Sequence, residues 1–291
     1  MKIALALLVV LPSSPPIDEP LKATVEALIR DSGAEAVAVA YRDRKSGEEI
    51  LIRPDESFHA ASTMKLAVLA EVYRRAREGT LSLDEPIAIR ADFASIADGI
   101  RYALDPADDS EPTLYRRLGQ VETVRELARL MIVRSSNLAT NLLVERVTAP
   151  AVAAFMKRIG AGGIVVLRGV EDGPAFARGM NNTATARGLG RLLTLLADRA
   201  VVSPESSDAM VAVLLGQAFA EGIPAGLPAG TPVAHKTGSI RRAYHDAAIV
   251  MPPGRPPYVL VVLTRGLDDE AKAHRLVAAI ARAVHDRAVR P

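Results

Sequence analysis

Strand-like runs stand only toward the two ends of this chain, and that placement limits its fold more than any other feature. Ala36-Val37-Ala38-Val39-Ala40-Tyr41 and Ile50-Leu51-Ile52 flank the polar turn Asp43-Arg44-Lys45-Ser46-Gly47-Glu48. The pattern returns only after Gly230, in Thr231 to Ser239, Ala247 to Met251 and Tyr258 to Leu263. The last two runs are joined by Pro252-Pro253-Gly254-Arg255-Pro256-Pro257, a hairpin turn. A helix from Asp18 to Arg30 precedes the first strand, with Leu21, Val25, Leu28 and Ile29 on one face. Another, from Asp268 to about His285, follows the last strand. Between the two groups the periodicity is helical. One helix starts at Ser62 and ends near Gly79, one follows Thr123-Val124-Arg125-Glu126 (a capping-box spacing), and one spans about Asn137 to Val147. Others follow Thr148-Ala149-Pro150, Thr183 or Thr185, and Ser203-Pro204-Glu205. Residues 81–120 are irregular and include the acidic, Pro-punctuated loop Asp105 to Pro112. A single sheet must then be assembled from both chain ends. The expected fold is α+β: an α/β sandwich from residues 18–60 and 187–291, an all-helical domain inserted over 61–186, and an active site between them.

At 291 residues the chain is long enough for a sizeable core. Its 36 basic and 34 acidic residues give a net charge of +2, which offers no electrostatic case for a nucleic-acid partner. The absence of Cys excludes disulfide and thiol chemistry. Five scattered His without an H-x-x-x-H pair give no zinc site. Residues 1–16, with Lys2, an apolar run and then Pro12 to Pro16, read as a signal peptide, so the mature protein is expected to be secreted or periplasmic. No other apolar run approaches transmembrane length.

The chemistry gathers at Ser62-Thr63-Met64-Lys65. Positions three apart share a helix face, so a serine and a lysine would meet at the first turn, where N–H groups are unsatisfied. A desolvated lysine there loses proton affinity and can act as a base toward the hydroxyl. Only seven of the basic residues are Lys, which gives weight to a lysine in a motif. Two further patterns follow in order, Ser135-Ser136-Asn137 and Lys236-Thr237-Gly238. Lys45-Ser46-Gly47 matches the second pattern too, but lies in a charged turn ahead of the serine. His245-Asp246 lacks the G-x-S-x-G serine that a triad on an α/β-hydrolase elbow needs. Gly160-Ala161-Gly162-Gly163 is a turn, not a dinucleotide fingerprint.

With Phe58 four residues before the serine, the three patterns resemble the class A serine β-lactamases and the penicillin-recognising D,D-peptidases of the same superfamily. The resemblance runs from about Asp18 to the C-terminus. It implies a hydrolase that opens β-lactam rings through an acyl-Ser62 intermediate, as a monomer and without metal or cofactor. Lys65 would take the proton of Ser62, and Ser135 would pass one to the leaving nitrogen. Asn137, Lys236 and Thr237 would hold the substrate, and the N–H groups of Ser239 and Ser62 would form the oxyanion hole. Arg241 or Arg242 could add a carboxylate contact. Deacylation in this class needs a carboxylate that holds a water, and Glu171 stands at the right place in chain order, with Asp172 as its rival. The chain departs from the family in three ways: Ala175 replaces an Asn, the stretch from Glu171 to Asn182 is about two residues short, and Ser136 replaces an Asp. These departures leave open a D,D-carboxypeptidase or esterase acting on a peptidoglycan-like substrate, or a penicillin-binding sensor that stays acylated.

Overall fold

The computed structural model describes residues 18–290. The signal-peptide reading of residues 1–16 lies outside them. The chain opens with helix α1 (Glu19–Ser32), capped by the Asp18 carboxylate, which accepts from Leu21 N, and ended by Gly33 in the left-handed region. Strands β1 (Ala36–Asp43), β2 (Glu49–Ile52) and β3 (Phe58–His59) follow, then a 3-10 turn (Ala61–Met64) that runs into α2 (Lys65–Arg77). The next part carries β4 (Pro86–Ala88), β5 (Asp92–Ala94), β6 (Arg101–Ala103) and β7 (Val121–Thr123). Helices α3 (Val124–Val133), α4 (Asn137–Val147) and α5 (Ala149–Arg158) come next, followed by β8 (Ile164–Val165), α6 (Gly173–Ala177) and β9 (Thr183–Ala184). Helices α7 (Ala186–Ala197) and α8 (Pro204–Leu215) lead to β10 (Val233–Ile240), β11 (Ala243–Val250), β12 (Tyr258–Arg265) and α9 (Glu270–Ala288).

The two chain ends do build one sheet. Its order is β10-β11-β12-β1-β2 and every pairing is antiparallel, with Ala36 opposite Arg265 and Val233 opposite Val250. β1 reads as a continuous apolar run because both faces of the sheet are covered. Val37, Val39 and Tyr41 face a core shared with α1 and α9. Ala36, Ala38 and Ala40 face the helical side, where α7 packs. The small side chains matter there: a Cβ on Gly190 of α7 would lie 3.3 Å from that of Ala40.

On the helical side, α2 is buried from Lys65 through Tyr73 and is enclosed by α3, α4, α5 and α8. The run Leu66 to Ala70 is apolar on every side, which places it in the middle of the core, and the buried Glu71 after it is paired with Arg74 and Arg75. The span 61–186 is nonetheless not purely helical. Two small antiparallel pairs interrupt it, β4 with β7 and β5 with β6, and β8 and β9 join β3 just ahead of the span. The Pro-, Gly- and acid-rich stretch after α2 sustains no α-helix, and short ribbons with two 3-10 turns, Pro106–Asp108 and Pro112–Arg117, satisfy its backbone instead. The capping box at Thr123 is only half formed. Thr123 Oγ1 accepts from Glu126 N, but Thr123 N donates to Glu122, while Glu126 pairs with Arg129.

Candidate active site

Ser62 sits in a turn that is held from several sides. β3 pairs with β9, and Ala60 N donates to Asn182 O at 2.9 Å. Ala61 has a φ of 46°, and its N–H donates to His59 Nδ1 at 3.1 Å. The His59 carbonyl in turn accepts from His245 Nε2 at 2.9 Å, while His245 Nδ1 accepts from Thr264 N at 3.1 Å. Ser62 thus lies in the 3-10 turn and Lys65 opens the α-helix. Because i and i+3 eclipse in a 3-10 turn, the change of helix type does not by itself separate the two residues.

β10 is an edge strand, so half of its backbone polar groups point away from β11. Gly238 lets it approach the serine turn: a Cβ there would lie 3.1 Å from Ser62 N and 3.0 Å from Thr63 N. The turn and the strand share an open cleft of about 690 Å³, lined by Ser62, Ser135, Asn137, Glu171, Thr237 and Ser239. Lys65 and Lys236 are fully buried behind it. All eight residues singled out from the sequence are therefore brought together.

Lys65 is not aimed as expected. Its ammonium donates to Ser135 O at 2.7 Å, Asn137 Oδ1 at 2.9 Å and Ser135 Oγ at 3.3 Å, and makes no hydrogen bond to Ser62. A buried ammonium needs three acceptors, and the Ser135–Asn137 turn supplies them. Lys236 reaches the same hydroxyl, with Nζ 3.0 Å from Ser135 Oγ and 2.9 Å from Thr237 O. Ser135 is presented between the two lysines by a left-handed backbone, with φ 55°. Burial lowers Lys65 to about 7, against the opposing pull of Asp109 and Glu171. Burial also depresses Lys236 well below an ordinary lysine, and the neighbouring Lys65 adds to that.

Asn137, the first residue of α4, connects this pair to the loop after β8. Its Nδ2 donates to Glu171 Oε1 at 3.2 Å and to Asp108 O at 3.3 Å. Glu171 has a φ of 59°, and partial burial and the nearby Asp108 raise its carboxyl above the ordinary range. One turn along α4, Asn141 accepts from Val170 N at 2.6 Å and donates to Val170 O at 3.0 Å. Asp172 is fully buried and committed to the loop with both oxygens, Oδ1 accepting from Ser95 Oγ and Ala175 N and Oδ2 from Ile96 N. It staples the loop and is no rival to Glu171.

The other sequence candidates resolve in the same way. His245 and Asp246 point to opposite faces of β11, as neighbours in a strand do; Asp246 accepts from Ile223 N and pairs with His235. Lys45-Ser46-Gly47 is the β1–β2 turn, with Gly47 N donating to Asp43 O. Arg242 is tied to Glu35 and Asp268, whereas Arg241 lines a second lobe of the cleft beside Ser62. Sequence reasoning did not single out Asn141 or Asp109. Asn141 could have been found as the residue four positions after Asn137 on one helix face. Asp109 gave no signal, since the partners that tie it to the site, Ser136 and Leu138, lie 27 and 29 positions away.

A five-stranded antiparallel sheet, its helical partner layer and two buried lysines about a serine turn define a serine β-lactamase-like hydrolase. The model of the β-lactamase enzyme family matches residues 20–288, and the chain belongs to that family. A β-lactamase of Streptomyces albus G is 30% identical over 265 residues, covering 88% of this chain and 80% of the relative. The carbapenem-hydrolyzing β-lactamase KPC of Klebsiella oxytoca is 28% identical over 253 residues, covering 85% and 82%. The crystal structure of a β-lactamase from Sphaerobacter thermophilus superposes with a TM-score of 0.81 at 26% identity, covering 94% of this chain and 100% of the other. The structure of PBP-A shares the fold, with a TM-score of 0.81 at 23% identity, covering 94% and 98%.

Proposed function

We propose that this chain hydrolyses β-lactams through an acyl-enzyme on Ser62. The observation that carries the reading is Ser135 Oγ, held 3.0 Å from Lys236 Nζ and 3.3 Å from Lys65 Nζ at the edge of the cleft that Ser62 lines. Ser62 Oγ attacks the lactam carbonyl while its proton passes to neutral Lys65. The oxyanion is met by the N–H groups of Ser62 and Ser239; a donor of this kind is worth about 3 kcal/mol of barrier. The C–N bond breaks, and the nitrogen takes the Ser135 proton, which Lys65 replaces. Lys236 and Thr237 receive the substrate carboxylate, and Asn137 the acyl side chain. A water activated by Glu171 then attacks the ester, releases the ring-opened acid and returns Ser62.

A specific observation favours a second reading, a D,D-peptidase or esterase that deacylates slowly on β-lactams. Asn141 grips the backbone of Val170 rather than that of Glu171, and Ala175 offers no polar atom to a water beside that carboxylate. One experiment separates the two. The protein is incubated with benzylpenicillin, and intact mass and ring-opened product are followed together. Turnover with a transient adduct supports the lactamase, and a lasting adduct on Ser62 supports the slow deacylator. No adduct and no product sinks both. Export is part of this proposal: no helix among the described residues is long and apolar enough to cross a membrane. The apolar segment after Lys2 is the leader, and the N-terminal sequence of the secreted protein tests it.

A further inference from the structure

The acidic loop before α3 has no part in the reaction as written, yet it reaches the base of the site. Asp109 is buried, and its carboxylate is spent on the Ser135–Asn137 turn and its support. Oδ2 accepts from Leu138 N at 2.8 Å, Tyr115 OH at 3.1 Å and Ser136 Oγ at 3.3 Å, and Oδ1 accepts from Glu111 N at 2.9 Å. Leu138 N is one of the orphan donors at the start of α4, and Ser136 Oγ caps the next, Ala139 N, at 3.1 Å. The helix end that carries Asn137 is thus gripped twice, once by its own cap residue Ser136 and once by a loop 27 to 29 positions earlier. Beside it, the Asp108 carbonyl accepts from Asn137 Nδ2.

We propose that Asp109 is a positioning residue for acylation, holding Ser135 and Asn137 where they receive Lys65 and setting a negative charge behind that lysine. The inference rests on the acyl-enzyme reading above. Ser135 keeps a left-handed backbone only while its surroundings enforce it. The turn so enforced supplies all three acceptors of the Lys65 ammonium. The charged groups that face Lys65 are Asp109 from the loop, Glu171 from the segment after β8, and Lys236 from β10. Asp109 is the largest influence that keeps the proton on Lys65 against burial. Its removal therefore has two separable consequences: the turn loosens, and Lys65 becomes neutral at lower pH.

The test uses Asp109→Asn, which keeps the shape and removes the charge, and Asp109→Asn combined with Ser136→Asp. An aspartate at position 136 would stand where Ser136 Oγ now touches Asp109, so it returns a carboxylate to the same N–H groups from the helix itself. The rate of adduct formation with benzylpenicillin is measured from pH 5 to 9, alongside the thermal midpoint. Asp109→Asn is expected to slow acylation by roughly 10- to 100-fold and to move its acid limb to lower pH. The double variant restores both. Should Asp109→Asn not fold, a folded double variant that acylates at the native rate upholds the assignment, and one that stays slow overturns it. A purely structural role lowers the midpoint without moving the limb, and that result rejects the inference, as does an unchanged rate in Asp109→Asn. No adduct on the unsubstituted protein overturns the acyl-enzyme reading and this inference together; equal adduct formation by both proteins overturns this inference alone.

Discussion

Lys65 Nζ donates to the backbone carbonyl of Ser135 at 2.7 Å, across 70 positions of sequence. That carbonyl is turned inward by the left-handed φ of Ser135, and the same twist sets the Ser135 hydroxyl between Lys65 and Lys236. One strained residue therefore serves two buried lysines, and the proton path depends on a backbone conformation as much as on side chains.

The first prediction concerns the protonation of Lys65. Acylation that needs neutral Lys65 falls as pH drops through about 7, the value to which burial lowers this group. Lys65→Met should reduce the acylation rate by about 10²- to 10⁴-fold and abolish that limb. Stability carries the same signature. Between about 7 and the unfolded value of 10.5 the unfolded chain binds a proton that the native one does not. Stability therefore rises with pH across that window. Denaturant melts at pH 7 and pH 9 check it, and an equal slope in Lys65→Met would contradict the assignment.

Gly238 gives a second prediction. A Cβ at this position meets Thr63 N at 3.0 Å and Ser62 N at 3.1 Å, and both are backbone atoms that a side-chain rotation cannot clear. Gly238→Ala must push β10 away from the serine turn by a few tenths of an ångström. Geometry at the acyl carbon is sensitive to shifts of this size, so kcat/KM should fall about 10-fold or more. Because the cleft side is open, stability should change by no more than about 1 kcal/mol. A large drop in Tm with kcat/KM intact would mean that the strand, not the oxyanion site, depends on this glycine.

Much of this was legible in the sequence because the signals were local or strongly periodic. Asn137 to Val147 is a helix at the expected limits, since Ser136 caps it and Thr148 ends it. The sheet from both ends was legible because β1, β11 and β12 are short and richly apolar and are bounded by turns. The direction of the Lys65 side chain was not legible: it depends on where a left-handed residue 70 positions away puts its carbonyl. The buried carboxylate under Ser136 was hidden for a similar reason. The motif position lacks an acid, and Asp109 supplies one from a loop whose register no local pattern reveals. The short ribbons β4 to β7 escaped notice because strands of 3 residues carry no measurable alternation.

A third prediction is acid sensitivity seated at His245. Its ring is buried, takes the Thr264 N–H at Nδ1 and gives its own proton to His59 O, which fixes the neutral form. Burial lowers it to about 4. The unfolded chain takes up this proton near 6.5, so stability falls as pH drops from about 6.5 to 4, by about 3 kcal/mol in all. Below that window both states are protonated and the loss stops. Replacing His245 with Gln should flatten this part of the stability–pH curve, as urea melts at pH 4, 5 and 6.5 would register.

The last prediction concerns how the acyl group leaves. Among the described residues the Glu171 carboxylate accepts one hydrogen bond, from Asn137 Nδ2 at 3.2 Å, which leaves it lone pairs for a water. Its carboxyl is raised by partial burial and by Asp108, so the ionised form that a general base needs is lost earlier on acidification than for an ordinary glutamate. Deacylation should therefore have its own acid limb, distinct from that of Lys65, and Asp108→Asn should shift it to lower pH by removing the adjacent charge. Glu171→Gln keeps the Asn137 contact and the loop but removes the base. It should leave acylation within a few-fold of native and slow deacylation by roughly 10²- to 10⁴-fold, so that penicillin accumulates on Ser62. The pair of measurements, burst amplitude and steady-state rate, distinguishes a base from a spacer. A Glu171→Gln protein that turns over at the native rate means the water is held elsewhere, and the loop would then keep structural contacts alone, such as the grip of Asn141 on Val170.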